Sequence, residues 1–217
     1  MKRTNLFCLL MLLSTGGSVL FSHAEEPGTP EEQVAANTPA AVRPAKWAVR
    51  LEKPGLPNMH QVAPGIYRGA QPSAEGFREL EKMGIKTIIS LRAFHSDEKF
   101  LESTTLHTER ISFKTWHPED EDVNRFLELV RDTDKHPVFI HCLHGADRTG
   151  TMCAIYRIVE QGWGKEEAIE EMCKGGFGYH SIWVNLIRYL KKTDFDSLKR
   201  KSPQRNTPEN PIPQDSQ

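Results

Sequence analysis

A cysteine and an arginine six positions apart, Cys142 and Arg148, are the side chains whose types and spacing most clearly predict chemistry. They lie in the segment PVFIHCLHGADRTG, residues 137–150, where a predicted buried strand enters a short loop and a helix begins directly after it. In open α/β sheets such a loop lies beyond the carboxyl ends of the strands, where backbone N–H groups and a helix N-terminus attract anions. The segment therefore suits a tetrahedral phosphate group.

The predicted phosphate-binding loop consists of six consecutive residues, Leu143, His144, Gly145, Ala146, Asp147 and Arg148. Gly145 permits the tight turn that brings the loop back on itself. Arg148 can donate two parallel, charge-assisted hydrogen bonds to phosphate oxygens, a geometry that a lysine could not match.

The same positive field should activate Cys142. Converging N–H dipoles, the helix N-terminus and Arg148 favour a thiolate, which is a nucleophile when it lies beside a phosphate ester. We expect Thr149 to donate a hydrogen bond to the departing sulfur, and His141 to brace the loop rather than act as a base. The alternative is a buried structural cysteine with Arg148 in a surface ion pair. Strand, glycine and helix at matching positions favour the catalytic interpretation.

The elements around this loop predict one α/β domain at residues 47–193, with a central, mostly parallel sheet of four to five strands flanked by helices. The predicted strands cover residues 66–68, 85–91, 111–116 and 137–140. Predicted helices cover residues 73–83, 123–130, 165–172 and 181–191, and one more begins near residue 149.

The ends of the chain predict export. Residues 1–24 combine a positive start, an apolar run and a small-residue cleavage site, as in a signal peptide, and an uncleaved anchor is the less favoured alternative. Residues 25–46 and 194–217 are rich in polar residues and proline, so we expect a disordered linker and a disordered tail. The mature protein would be periplasmic or secreted, without a stable membrane span.

The remaining composition excludes several classes of partner. A net charge of −1 gives no overall positive electrostatic potential that would attract nucleic acid. Three cysteines remain after cleavage, Cys142, Cys153 and Cys173. Because they form no C-x-x-C pair and no predicted helix carries an i, i+4 histidine pair, we predict no metal site, and we expect no cofactor. We expect a monomer with at least one free thiol, and outside the cytoplasm Cys142 would be open to reversible oxidation.

The segment HCLHGADRT, residues 141–149, resembles the H-C-x5-R-S/T signature of the protein-tyrosine and dual-specificity phosphatases. The segment YRGAQP, residues 67–72, is similar to the Y-R-S-G-Q-P opening of small, atypical bacterial members, with alanine in place of the usual glycine. The resemblance implies a metal-free, two-step hydrolysis of phosphomonoesters through a phosphocysteine. It also implies an aspartate on an upstream loop that acts as general acid.

The segment WHPEDED, residues 116–122, offers four carboxylates and resembles a degenerate Trp-Pro-Asp loop. In plant and fungal atypical dual-specificity phosphatases the acid lies at a similar short distance before the nucleophile, which selects Asp120, with Asp122 as the alternative acid. These carboxylates could also cap the following helix, because negative charge is stabilising at a helix N-terminus.

The substrate is less sharply predicted. The loop lacks the lysines typical of phosphatases that act on inositol lipids, and Asp147 would repel extra phosphates if it faced inward. We therefore expect phosphotyrosine or another monoester, with inositol polyphosphate or pyrophosphate as the alternative.

A rhodanese-like sulfurtransferase and a non-catalytic phosphate-binding module remain as other classes. Residues 92, 95, 174, 179 and 180 are expected to be solvated loop groups or helix ends.

Overall fold

The computed structural model describes residues 43–102 and 104–198. The predicted signal peptide, most of the predicted linker and residues 199–217 of the predicted tail lie outside the described residues. Within the described chain, no helix is both long enough and apolar enough to cross a membrane.

A six-stranded mixed sheet forms the centre of the domain within the described residues. The strands are β1 Val49–Arg50, β2 His60–Ala63, β3 Ile66–Gly69, β4 Thr87–Ser90, β5 His107–Arg110 and β6 Val138–His141. Their spatial order is β1-β2-β3-β6-β4-β5, in which β3, β6, β4 and β5 run parallel, whereas β1 and β2 add an antiparallel extension to β3. The predicted parallel α/β sheet is confirmed, and the antiparallel pair raises the strand number above the predicted four to five.

Six α-helices of residues 43–102 and 104–198 surround this sheet. Ser73 caps the first of them, because its hydroxyl accepts a hydrogen bond from the backbone N–H of Gly76 at 3.2 Å. The last begins at Val184, three residues after the predicted start. The helices are α1 Ala74–Lys82, α2 Glu98–Leu101, α3 Asp120–Arg131, α4 Asp147–Val159, α5 Lys165–Lys174 and α6 Val184–Lys192, with 3-10 turns at Thr133–Lys135 and Asp196–Leu198.

The predicted strand at 111–116 is wrong, because β5 precedes it at His107–Arg110. β5 is a polar edge strand that pairs with β4 alone. Its position is set by backbone hydrogen bonds, and its side chains show no hydrophobic pattern from which a strand could be predicted. Ile111 and Phe113, which suggested the strand, are 3% and 1% exposed and fill the core beyond the end of the sheet.

Both faces of the sheet are covered by apolar side chains. Phe139 of β6 packs in a cluster with the α1 residues Phe77 and Leu80, while its neighbour Ile140 joins the larger cluster on the opposite face. The larger cluster also contains Phe195, which is 1% exposed. The folded chain therefore continues past the predicted boundary at residue 193, and the predicted tail begins too early.

Candidate active site

Cys142 directly follows β6, the strand that lies between β3 and β4 in the parallel part of the sheet. α4 begins five residues later at Asp147, so the segment between them turns sharply. Gly145 makes this turn with a φ of 69°, and a Cβ there would lie 2.4 Å from the backbone of Gly69. Only glycine fits both the backbone conformation and the close approach.

The loop is anchored through its carbonyl oxygens. Three consecutive carbonyls, those of Leu143, His144 and Gly145, accept hydrogen bonds from groups outside the loop. A trans peptide unit directs its N–H opposite to its C=O, so carbonyls held outward leave the N–H groups facing the loop interior. The donors are the backbone N–H of Gln71 at 3.1 Å, Asn58 Nδ2 at 2.9 Å and Arg68 Nη2 at 2.7 Å.

The nucleophile predicted from the sequence lies at the base of this loop. Cys142 is 2% exposed and packs in the larger apolar cluster. The Thr149 hydroxyl, in the first turn of α4, is fully buried and has no hydrogen-bond partner among the described residues. Arg148 lies between them in sequence, and its Nη1 donates to the carbonyl oxygen of Leu91 at 3.1 Å, beside the end of β4.

His141 connects Cys142 to a buried carboxylate. Its Nε2 lies 2.9 Å from Asp97 Oδ2, and its Nδ1 lies 3.2 Å from the carbonyl oxygen of Cys142. Burial alone would raise the pKa of Asp97, but the hydrogen bonds from His141 and Gln71 hold it below its ordinary value. The ionised Asp97 thus orients the imidazole, and His141 braces the backbone of Cys142.

Both carboxylate oxygens of Asp147 are engaged by His180. Its carboxylate accepts hydrogen bonds from the backbone N–H of His180 at 2.9 Å and pairs with His180 Nδ1 at 2.8 Å. The His180 ring in turn lies 5.5 Å from that of His144, between centroids. The sequence predicts His180 to be a helix-end group. The structure shows instead that His180, on the segment before α6, is hydrogen-bonded to Asp147 of the phosphate loop.

The acidic segment 116–122 follows β5 and enters α3, so it lies at the same edge of the sheet as Cys142. Asp120 is exposed, and its Oδ1 accepts a hydrogen bond from Tyr189 Oη at 2.6 Å. Asp122 is half-buried, and burial together with the charge of Glu119 raises its pKa. The two candidate acids therefore occupy different environments within one helical turn.

Sequence reasoning missed the side chains that support the loop from a distance. Arg92, expected to be solvated, donates from Nη1 to Gln71 Oε1 at 2.8 Å, and Gln71 Nε2 donates to Asp97 Oδ1 at 2.8 Å. Gln71 lies in the YRGAQP motif, so that motif could have indicated a role for it. Asp97 carried no such signal, because it lies in a polar segment with many charged neighbours.

Two further cysteines of the described residues lie outside the phosphate loop. Cys153 is buried and Cys173 is half-buried, and both are free thiols. Burial raises the pKa of each thiol, which disfavours the reactive thiolate.

Comparison with known proteins agrees with this geometry. Residues 45–183 match the family described as a DSP-PTPase phosphatase fused to NAD+ kinase. The dual specificity protein phosphatase TpbA of Pseudomonas aeruginosa strain UCBPP-PA14 is 33% identical over 166 residues, which cover 76% of this chain and 74% of TpbA.

A crystal structure of a P. aeruginosa TpbA cysteine-to-serine variant in complex with phosphotyrosine is 31% identical, with a TM-score of 0.65. It covers 72% of this chain and 96% of that one. An inositol diphosphatase of Arabidopsis thaliana is 32% identical over 140 residues, 60% of this chain and 68% of the plant protein. The chain belongs to the cysteine-dependent dual-specificity phosphatase superfamily.

Proposed function

We propose that this phosphatase hydrolyses phosphotyrosine and related phosphomonoesters of proteins through a phosphocysteine formed on Cys142. The observation that carries the proposal is the outward anchoring of three loop carbonyls around a buried cysteine, with Arg148 at the start of the adjoining helix. Such a loop presents several N–H groups and a guanidinium to the equatorial oxygens of the phosphoryl group in the transition state of its transfer.

In the first step, the Cys142 thiolate attacks phosphorus, an S–P bond forms, and the P–O bond to the leaving group breaks. An aspartic acid gives its proton to the departing oxygen. In the second step, the same residue, now a carboxylate, takes a proton from water, which attacks phosphorus and breaks the S–P bond. The unpartnered Thr149 hydroxyl is the group we assign to stabilise the thiolate as it leaves.

We assign the acid to Asp120, with Asp122 as the alternative. Asp120 is at the first position of α3 and is held by Tyr189, so its carboxylate has a defined orientation. Asp122 has the raised pKa, which keeps a proton available at higher pH and suits a proton donor. The two assignments are separated by which aspartate, when replaced, slows the hydrolysis of esters whose leaving group needs a proton.

Exposed apolar side chains favour a protein substrate. Six large hydrophobic side chains of the described residues are exposed, and five of them lie on segments around the carboxyl edge of the sheet. Apolar surface that rims a polar site is typical of a surface that contacts a macromolecule. The five are Phe94 at 86% exposure, Ile182 at 75%, Trp116 at 60%, Val184 at 56% and Leu143 at 43%.

Inositol polyphosphate or pyrophosphate is the second candidate substrate. It is supported by the similarity to a plant protein named an inositol diphosphatase. Against it stands the loop composition, which has no lysine. The intact Cys142, Arg148 and Thr149, together with the family membership, leave no support for a sulfurtransferase or a non-catalytic phosphate-binding module.

The site of action that we propose is the periplasm or the exterior of the cell, and the form is a monomer. The support for export is the signal-peptide pattern of residues 1–24, which carries a positive start, an apolar run and a Ser-His-Ala cleavage site.

The activity is tested with the mature chain, purified under reducing conditions, on p-nitrophenyl phosphate in excess EDTA. We expect hydrolysis that survives chelation and falls by ~10⁴-fold or more in Cys142→Ser. Activity retained by that variant would overturn the proposal.

The substrate class is tested by comparing kcat/KM for phosphotyrosine peptides and for phytate. We expect the peptides to be preferred. Fast phosphate release from phytate with negligible release from the peptides would assign the second candidate instead.

A further inference from the structure

We propose that Arg92 binds a second anionic group of the substrate, beside the scissile phosphate, so that the enzyme prefers phosphoesters with a neighbouring acidic group. The proposal rests on the proposed function of the Cys142 site. The first source that we expect for the second anion is an acidic residue next to phosphotyrosine, and the other is a neighbouring phosphate on a small molecule.

The position of Arg92 follows from the register of the sheet. β4 and β6 are parallel neighbours, with Ser90 opposite His141, and the backbone N–H of Leu91 donates to the carbonyl oxygen of His141 at 2.8 Å. The residue after Leu91 is therefore level with the start of the phosphate loop. Arg148 also reaches this point, because its Nη1 donates to the Leu91 carbonyl oxygen at 3.1 Å. Two guanidinium groups thus flank the same end of the loop.

The electrostatic environment of Arg92 agrees with this placement. Burial lowers its pKa, Asp97 opposes that effect, and Arg148 and Cys142 act on it in opposite directions. Arg148 and Cys142, the two groups proposed to bind and attack the phosphate, are therefore close enough to Arg92 to interact with it electrostatically. An arginine remains protonated at neutral pH in spite of such a shift, so a positive charge is retained here.

Hydrogen bonds hold Arg92 without neutralising it. Gln71, an uncharged side chain, accepts from Arg92 and donates to Asp97, while the Gln71 backbone N–H donates to the Leu143 carbonyl oxygen. The two oxygens of Asp97 are engaged by Gln71 and by His141. Arg92 is thus fixed relative to the phosphate loop through the same residues that brace Cys142.

An arginine with a structural role in this domain has a different environment. Arg157 is 2% exposed, and two of its nitrogens contact the Glu171 carboxylate at 2.7 Å. Across residues 43–102 and 104–198, by contrast, no carboxylate lies within ion-pair distance of Arg92. A half-buried guanidinium with one neutral acceptor has N–H groups left to donate, and an anion placed there gains charge-assisted hydrogen bonds.

The test compares two phosphotyrosine peptides that differ at one flanking position, with glutamate in one and glutamine in the other. The kcat/KM ratio of the two is measured in the full-length mature protein and in three variants, Arg92→Ala, Arg92→Lys and Arg78→Ala. Arg78 is an exposed arginine of α1 and serves as the charge-matched control. A ratio measured on one enzyme preparation is insensitive to partial loss of folded protein.

We expect the wild type to prefer the glutamate peptide by about tenfold, the size of one charge-assisted pair. The ratio should fall to about one in Arg92→Ala. It should be partly kept in Arg92→Lys, because lysine keeps the charge but not the planar donor geometry. Arg78→Ala should keep the wild-type ratio.

A wild-type enzyme without this preference, or an Arg92→Ala variant that keeps it, would overturn the role of Arg92 toward acidic peptides. Phytate distinguishes the two sources of the anion. A different outcome is a peptide ratio of one in both the wild type and Arg92→Ala, while Arg92→Ala lowers phytate hydrolysis relative to p-nitrophenyl phosphate hydrolysis. In that case a neighbouring phosphate is the anion that Arg92 binds. If neither ratio responds while Cys142→Ser is inactive, the inference fails and the proposed function stands.

Discussion

The phosphate loop at 143–148 and the acidic segment at 116–122 lie at the same edge of the sheet but are held very differently. Three carbonyls of the phosphate loop are bound by β3, by the segment before β2 and by Gln71, and Gly145 packs directly on Gly69. The acidic segment is linked to α6, by Asn185 to the carbonyl oxygen of the preceding Thr115 and by Tyr189 to Asp120, and its Trp116 is 60% exposed.

This difference matches the two chemical tasks. Stabilising a transition state requires donors that are already in place, because reorganising them would cost part of the stabilisation. Delivering a proton requires one carboxylic acid within hydrogen-bond reach of the leaving group. The phosphate loop, which we call the rigid half of the site, is assembled by long-range contacts to the sheet, whereas the acidic segment, the acid half, is held by contacts to α6.

The largest expected effect comes from breaking the rigid half with Gly145→Ala. The new Cβ would meet the Gly69 backbone, and the left-handed φ of 69° would be strained by ~1–3 kcal/mol. Because several N–H donors would move together, kcat should fall by ~10³-fold. Steady-state kinetics and thermal unfolding measure the two effects. Gly84→Ala, also at positive φ but in open space after α1, is the control and should affect stability alone.

A smaller effect sharpens the description of the acid half. If Asp120 is the acid, Asp120→Asn should lower kcat by ~10²-fold for phenyl phosphate, whose leaving group needs a proton. The loss should be much smaller for p-nitrophenyl phosphate, whose leaving group does not. Asp122→Asn should then behave like wild type in both assays. The reverse pattern would assign the acid to Asp122, and equal behaviour of both substrates in both variants would contradict an acid in this segment.

The smallest expected effect concerns the link that joins Cys142 to Arg92. Asp97→Asn removes the carboxylate that orients His141, and we expect kcat to fall by ~10-fold through misplacement of the loop. Because the folded pKa of Asp97 is lowered, its ionisation stabilises the protein above its unfolded pKa, and this stabilisation is lost as pH falls through the folded pKa. Wild type should therefore be more stable than Asp97→Asn at pH 7, and the gap should shrink in acid. A gap independent of pH would contradict this role.

The sequence predicted the rigid half of the site better than its supports. Cys142, Gly145 and Arg148 are encoded in one short segment, so local pattern was sufficient to place them at a strand-loop-helix junction. Asp97, 44 positions away from His141, belongs to the site only through the pairing of β4 with β6, which no local pattern reveals.

The errors in the fold have similar causes. β5 was misplaced because an edge strand can be polar while the apolar residues after it fill the core. The domain boundary fell short because Phe195 and Leu198 are isolated apolar residues in a polar segment, and their packing depends on a distant cluster.

The central claim is that a phosphoryl group is carried by the sulfur of Cys142, and trapping that intermediate tests it most directly. A rapid-quench reaction at mildly acidic pH, followed by digestion and peptide mass spectrometry, should place the mass of one phosphoryl group on the peptide that contains Cys142. Thr149→Ala should increase the trapped fraction by slowing the second step. Product formation with no phosphorylated Cys142 peptide, or with the phosphoryl group on another residue, would contradict the account.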